Sequence, residues 1–323
     1  MNATSASSPA SSSPRLRVLA IRHGALGDLV LGFPAFHALR EFMPDAHITL
    51  MTARPFAAFA DTFPWFDAVW SDARPKWWNL PGWAALAQRL RHSRFDRVYD
   101  FQNKRRTALY YRLLPAPKPE WSGSARGCSH PWQGHADPTL HQQDRYLRQL
   151  AAAGVPAAGR PDLTWLDADL TAGPAQALPA RYALLLPGCA PHRPEKRWPA
   201  EHFARLGQRL AMHGVASVLA GTAAEGDALT RIASQIPGAV NLCGQTSLAQ
   251  LAGLARRAAT VIGNDTGPAH LAAAVGAPVL VVMSAVTNPA RSAPRGPRAG
   301  WIQCPDLKDL EAETVESALR WAV

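Results

Sequence analysis

Two features in the run LRVLAIRHGALGDLVLGFPAF (residues 16–36) could each do chemistry. Arg22-His23-Gly24 follows a strand-like segment directly. In that placement a histidine can take up a phosphoryl group while an arginine clamps phosphate. Gly27-Asp28 stands where a helix begins, and a carboxylate there can take a proton from an attacking hydroxyl. Phosphohistidine chemistry needs a further Arg, a second His and an acid gathered at the same site. None can be assigned, although eleven histidines leave chance candidates. Asp28 could also be a plain helix cap worth about 1 kcal/mol, and the two roles are compatible. Gly24 and Gly27 would let the loop approach a substrate, whereas His23 either lines the same site or packs.

The second half carries a denser set. In GNDTGPAHLAAAVGAPVLVVM (263–283), Asp265 and Thr266 follow a strand and precede a helix, where side-chain oxygens cap free N–H groups. Gly267 permits close backbone approach and Pro268 suits a first helical turn, making the turn a candidate anion site. In PHRPEKRWPAEHFARL (191–206), Lys196 and Arg197 end a loop just before a helix, where cations could neutralise phosphate oxygens. Glu225, in GTAAEGDAL (221–229), stands past a strand end and could accept from ribose hydroxyls. Three such sites at strand ends in one domain point to a nucleotide-phosphate pocket.

The elements that must position these residues alternate between strand and helix. Strands are expected at 17–21, 47–52, 68–70 and 97–101, with helices at 27–42, 83–94 and about 141–153. Pro34 must kink the first helix or lie near a first turn. Residues 115–139, rich in proline and glycine, read as a long loop. The alternation resumes with strands at 182–186, 216–221, 240–244, 260–264 and 278–283, and with helices at 200–214, 224–236, 247–258 and 268–276. This is an α/β chain with two consecutive doubly wound units and a ligand cleft between them. The units are placed at 15–170 and 182–323, joined by a linker at 171–181. The last helix, about 308–322, is expected to pack back on the first unit.

The chain has 323 residues, 47% of them hydrophobic, enough for two ordinary cores. Residues 1–14 are Ser/Ala/Pro-rich and read as a mobile tail without the apolar core of a secretory signal. No stretch reaches the ~18 apolar residues of a membrane span, so a cytoplasmic protein is expected. Four widely spaced cysteines form no disulfide or zinc pattern, and Cys128-Ser-His130 with His135 and His141 matches no standard ligand spacing. The net charge is +10, and residues 74–112 hold ten Lys and Arg against Asp96 and Asp100. With Trp77, Trp78 and Trp83 in the same window, this patch could meet nucleic acid, an anionic membrane or a phosphorylated glycolipid, or be a solvated face.

The chain resembles glycosyltransferase family 9, the bacterial heptosyltransferases. The likeness rests on RHGALGDLVLGFPAFHALR, EKRWPAEHFARL, LCGQTSLAQLAGLARRAATVIGNDTGPAHLAAAVGAPVLVVM and NPARSAPRGP. It implies a GT-B fold of two facing Rossmann-like domains, the acceptor bound by the first and the donor by the second. It also implies metal-independent, inverting transfer of heptose from an ADP-linked donor to lipopolysaccharide core, with no cofactor and no nucleic-acid partner. By the same resemblance Asp28 is the catalytic base, and Lys196, with Arg197 beside it, binds phosphate. Asp265, Thr266, Gly267 and His270 then form the diphosphate and donor-sugar turn, and Glu225 contacts the ribose. Some family members carry a hydroxyl pair a few residues before the lysine, where this chain has Pro191 and His192. No D-x-D motif suited to a metal–diphosphate complex is read. With that assignment Lys104, Arg105 and Arg106 are expected to contact acceptor anions beside Gly24, Gly27 and His23. Trp77 and Trp78 are expected near the cytoplasmic face of the inner membrane. Other donors, or an O-antigen or protein acceptor, remain alternatives within the family.

Overall fold

The computed structural model describes residues 15–168, 170 and 178–319. The expected tail at 1–14 and most of the linker at 171–181 lie outside the described residues. The first half forms a six-stranded parallel sheet: β1 (Arg17–Ile21), β2 (His47–Ala53), β3 (Ala68–Asp72), β4 (Arg97–Asp100), β5 (Glu120–Gly123) and β6 (His130–Pro131), in the order β3-β2-β1-β4-β5-β6. The second half repeats the plan with β7 (Tyr182–Leu186), β8 (Ala216–Leu219), β9 (Val240–Asn241), β10 (Thr260–Asn264), β11 (Val279–Ser284) and β12 (Ala299–Cys304), in the order β12-β11-β10-β7-β8-β9. Numbered within each half, both sheets run 3-2-1-4-5-6. The order therefore reverses between β1 and β4, and again between β7 and β10, which is where doubly wound sheets open a crevice at their carboxyl ends.

The expected helix over 27–42 is two helices, α1 (Leu26–Leu31) and α2 (Phe33–Phe42), separated at Gly32. Pro34 sits in the first turn of α2, where its missing N–H is harmless. A Cβ at Gly32 would lie 2.6 Å from the Phe36 ring, so the break is also a packing point. α3 (Ala57–Ala60), α4 (Leu80–His92) and α5 (Arg105–Leu113) follow, then α6 (Gln142–Ala152). Phe33, Phe36, Phe63, Trp65 and Trp165 form an aromatic cluster under α2, with Phe33–Phe63 centroids 5.1 Å apart. Burying each such ring contributes roughly 1.5–3 kcal/mol.

The region 115–139 is not one loop, because it supplies β5 and β6. Trp121 of β5 is fully buried, yet the strand spans only Glu120–Gly123 and is too short to show a period in sequence. β12 was likewise not expected; it is an edge strand with Trp301 half-exposed.

The last helix corrects another expectation. α12 (Ala312–Ala318) packs on α7 (Ala200–Met212) of its own domain, not on the first domain. Ala312, Val315 and Leu319 meet Phe203, Leu206 and Leu210 in one buried cluster. Glu316 pairs with Arg209 at 2.5 Å and Glu313 with Arg205 at 2.8 Å. A matched apolar stripe flanked by matched charges leaves no reason to cross over. The remaining helices are α8 (Gly226–Ser234), α9 (Leu248–Arg257), α10 (Gly267–Ala274) and α11 (Pro289–Ser292).

The domains meet through α1 and α10. A Cβ at Gly267 would fall 2.6 Å from Leu26 Cβ, and one at Gly27 would fall 2.7 Å from the His270 ring. Two glycines therefore set how closely the helix starts approach. A second tie joins α6 to the segment after α11: Arg295 holds Asp144 through both carboxylate oxygens, and His141 Nε2 contacts the Ala293 carbonyl at 2.9 Å.

Candidate active site

Asp28 occupies the third position of α1. Its Oδ2 accepts from the Ala25 backbone N–H at 3.0 Å and pairs with Arg22 Nη2 at 2.6 Å. Among the described residues no hydrogen bond engages Oδ1. The Arg22 guanidinium is buried, 5.4 Å from the Tyr146 ring centroid, and reaches the Phe101 carbonyl. It is held from β1, α6 and the end of β4 together. The helix-end and base roles of Asp28 are thus geometrically compatible.

His23 is not part of this arrangement. It is 6% exposed, with Nε2 2.8 Å from Asp72 Oδ2 in a contact poorly aligned for a hydrogen bond. Tyr110 donates to the same Asp72 oxygen at 2.6 Å. Burial pushes the Asp72 carboxyl up, but the contacts from His23 and Tyr110 outweigh it and leave it below the usual range. His23 is a packed residue and lines neither of the cavities beside Asp28. A phosphoryl-accepting imidazole must be reachable, so the Arg22-His23-Gly24 alternative fails on this geometry. Gly24, with φ +114°, borders the site, and a Cβ there would enter the Phe56 ring.

Two cavities adjoin Asp28, and among the described residues it alone lines both. The smaller, about 250 Å³, belongs to the first domain and is walled by Gln102, Asn103, Lys104, Trp132, Arg145 and Gln149. Gln149 knits it together, donating to the Asp100 and Ser122 carbonyls and accepting from Asn103 Nδ2 at 2.8 Å. Asp100 is fully buried; its Oδ1 accepts from the Gln102 and Asn103 N–H groups, and burial pushes its carboxyl up to about 6. Arg105 and Arg106 do not line this pocket. Arg106 donates to the Pro75 carbonyl and lies over Trp77 and Trp83, and Arg105 lines a separate groove. A helix start turns successive side chains about 100° apart, so adjacent basic residues diverge.

The larger cavity, about 810 Å³, lies between the domains. Lys196 reaches it from the loop after β7, with Nζ 2.6 Å from Asp265 Oδ2, which also accepts from Thr287 at 2.9 Å. Asn264 at the end of β10 fastens the two loops: its amide donates to the Pro187 and Gly188 carbonyls and its oxygen accepts from the Trp198 N–H. Thr266 is the N-cap of α10 by position, but its hydroxyl donates back to the Asn264 carbonyl and no side chain caps the helix. Pro268 has no N–H, and the Ala269 and His270 N–H groups both donate to the Thr266 carbonyl. It is therefore the Gly267 N–H that begins α10 without a backbone acceptor, at the cavity wall where a helix start favours an anion. His270 lines the same wall; burial drives its imidazole down to about 4 despite nearby Asp265 and Asp28, so it is neutral. Glu225 accepts from the Thr222 N–H and hydroxyl while lining the far end. It fits because residue 188 is glycine, where a Cβ would come 2.1 Å from Glu225 Oε1.

Arg197 departs from its expected place. It is exposed and donates to the Cys189 carbonyl, and Arg193 lines the cavity instead. Sequence reasoning also missed Asn264, Thr287, Arg145 and Gln149, and it read Arg22 only as a phosphate clamp. A D-x-D triplet does occur at 167–169, but Asp167 faces Arg256 at 3.8 Å, and Asp169 lies outside the described residues. Among the described residues no group of three His, Cys, Asp or Glu could hold a metal ion.

Two Rossmann-ordered domains face each other with a carboxylate from one and a lysine and helix start from the other on one cleft. The sequence profile described as glycosyltransferase family 9 (heptosyltransferase) matches residues 83–319. The chain belongs to this family. Among its relatives, lipopolysaccharide core heptosyltransferase OpsX of Haemophilus influenzae is 24% identical over 292 residues, 85% of this chain and 80% of the relative. Lipopolysaccharide heptosyltransferase 2 of Salmonella typhimurium is 24% identical over 290 residues, 83% of this chain and 82% of that one. The solved E. coli heptosyltransferase WaaC with ADP superposes with a TM-score of 0.76 at 23% identity, covering 95% of this chain and all of that one. As a member of family 9 the chain is a glycosyltransferase, and the GT-B expectation agrees with that fold. Among the described residues no helix is long and apolar enough to cross a membrane.

Proposed function

We propose that the protein transfers a heptose from ADP-heptose to a lipopolysaccharide-core acceptor, with inversion and without a metal ion. The observation that carries this reading is the position of Asp28 on both cavities, between a place for the acceptor and a place for the donor. The names of the relatives support the two substrates: one is a lipopolysaccharide core heptosyltransferase, another a lipopolysaccharide heptosyltransferase, and one structural neighbour holds ADP.

In this mechanism an acceptor hydroxyl stands in the smaller pocket beside Asp28. Its oxygen attacks the anomeric carbon of the donor as Asp28 Oδ1 takes the proton. The bond from that carbon to the diphosphate oxygen breaks on the opposite face, which inverts the configuration, and ADP leaves with the bonding electrons. Lys196 and the Gly267 N–H at the start of α10 neutralise the departing diphosphate through preorganised electrostatics. Glu225 accepts from the ribose. Neutral His270 and Gly267 shape the wall against the sugar. Lys104 and Arg145 face acceptor anions, an arrangement suited to a charged inner-core sugar, at the cytoplasmic face of the inner membrane.

The test is a thermal-shift panel of ADP, UDP, GDP and CDP, with and without chelator, on wild type and Lys196→Ala. ADP alone should stabilise the wild type, indifferent to chelator, and the effect should vanish in the variant. Preference for UDP or GDP would discard the ADP-heptose donor.

A further inference from the structure

The acceptor-side domain carries a surface that the transfer chemistry does not use. The loop between β3 and α4, with the first residue of α4, presents Trp77, Trp78 and Leu80 at 58%, 74% and 73% exposure, three large apolar side chains within four positions. Isolated exposed apolar residues are ordinary, whereas a cluster on one loop is not. The loop is also fixed. Trp77 stacks on Trp83 at 5.7 Å, Arg106 lies 5.0 Å from the Trp77 ring, and Arg106 donates to the Pro75 carbonyl.

Cations surround this apolar tip. Lys76 lies 5.3 Å from the Trp78 ring, and Arg74 is exposed beside it. A groove of about 540 Å³ begins at Trp77 and is lined by Arg105, Arg112 and Arg126, all exposed, with Ala108 and Leu109 as its floor. The nearby acids do not offset them: Asp72 is buried against Tyr110, and Asp100 is buried at the end of β4. The surface adjoins the acceptor pocket at the start of α5, where Lys104 faces the pocket and Arg105 the groove.

We propose that this loop and groove dock the enzyme on an anionic lipid bilayer, with Trp78 and Leu80 entering the interface and Arg105, Arg112 and Arg126 meeting lipid phosphates. Indole rings favour the headgroup level, an aliphatic side chain favours the acyl boundary, and basic residues around both favour an anionic leaflet. Single-stranded nucleic acid fits less well. Both Trp83 and Arg106 already occupy the Trp77 ring, and Leu80 offers nothing to a base. Docked in this way, the acceptor pocket opens beside the membrane that carries a lipid-linked acceptor, so the inference rests on the acceptor reading above.

The test is co-sedimentation of the full chain with vesicles of phosphatidylglycerol and phosphatidylethanolamine, against vesicles of phosphatidylcholine. The wild type should bind the anionic vesicles at least ~10-fold more tightly and be released by salt. Trp78→Ala/Leu80→Ala should lose most of that binding while keeping its ADP response and its turnover of a detergent-dispersed acceptor. Arg105→Gln/Arg112→Gln/Arg126→Gln should lose the preference for anionic lipid. Equal binding by the Trp78/Leu80 variant and wild type overturns the proposal, as does failure of the wild type to sediment. Preferential binding of a single-stranded oligonucleotide, lost in the same variants, overturns it in favour of nucleic acid. Because vesicle binding involves neither donor nor transfer, a failure here is separable from a failure of the nucleotide panel.

Discussion

Arg22 Nη2 lies 2.6 Å from Asp28 Oδ2, and the guanidinium that makes this contact is buried against Tyr146 while the carboxylate is about one-third exposed. A rigid cation thus holds one oxygen of the carboxylate and leaves the other for chemistry. Asp28→Asn should keep ADP-induced stabilisation but lower turnover by ~10² or more, because the amide cannot take the proton. Arg22→Gln should keep the donor KM and lower kcat by roughly 10-fold through loss of orientation, with Arg22→Lys recovering part of it. Steady-state kinetics on the three variants decide this, and near-normal turnover in Asp28→Asn would remove it as the base.

Asp265 holds Lys196 at 2.6 Å where the diphosphate is proposed to sit. The incoming phosphate must take over this lysine. Asp265→Asn should therefore bind ADP a few-fold more tightly, since one competing negative charge is gone. Transfer should nevertheless fall, because the turn loses the partner that orders Lys196 and Thr287. Calorimetric ADP titration beside an activity assay reads both effects; weaker ADP binding in the variant would contradict the exchange.

Gly267 and Leu26 test the approach of the two domains. An alanine Cβ at 267 would sit 2.6 Å from Leu26 Cβ, so Gly267→Ala should push α10 from α1 and reduce kcat/KM by ~10-fold or more. Adding Leu26→Ala shortens the opposing side chain, but its Cβ remains, so recovery should be partial. Full additivity of the two losses in a double-mutant cycle would show that the contact does not couple them.

Asp100 and His270 should pull stability in opposite directions as pH falls. The folded-state carboxyl of Asp100 lies at about 6, above its unfolded value, so folding gains stability as pH drops through 6. The folded-state imidazole of His270 lies at about 4, below its unfolded value, so folding loses stability from about 6.5 downward. At pH 5 each amounts to about 1–2 kcal/mol, and the two nearly cancel. Asp100→Asn removes the gain and leaves the loss. Its Tm should fall between pH 7.5 and pH 5 by about 2 °C or more beyond any fall in the wild type. Identical pH profiles would show that Asp100 does not titrate in this range.

The sequence by itself was enough for the doubly wound plan, because long β-branched and leucine runs alternating with amphipathic helices admit few other layers. It also placed Asp28, Lys196, Glu225 and Asp265–Gly267, since each stands next to a strand end or helix start, and those junctions are local. Short or edge elements escaped: β5 has four residues, and β12 alternates only weakly between half-buried and exposed. The partners of the site residues needed the tertiary structure. Arg22 meets Asp28, His23 meets Asp72 and Gln149 binds the turn after β4, and the last two pairs are 49 and 46–49 residues apart. Such contacts are set by the order of the strands, which brings the ends of β1 and β3 to the same edge of the sheet with β2 between them, and by where α6 packs, and neither leaves a periodic trace in the chain. The same applies to Lys104, Arg105 and Arg106, three adjacent cations whose different roles follow from the direction each takes at the start of α5.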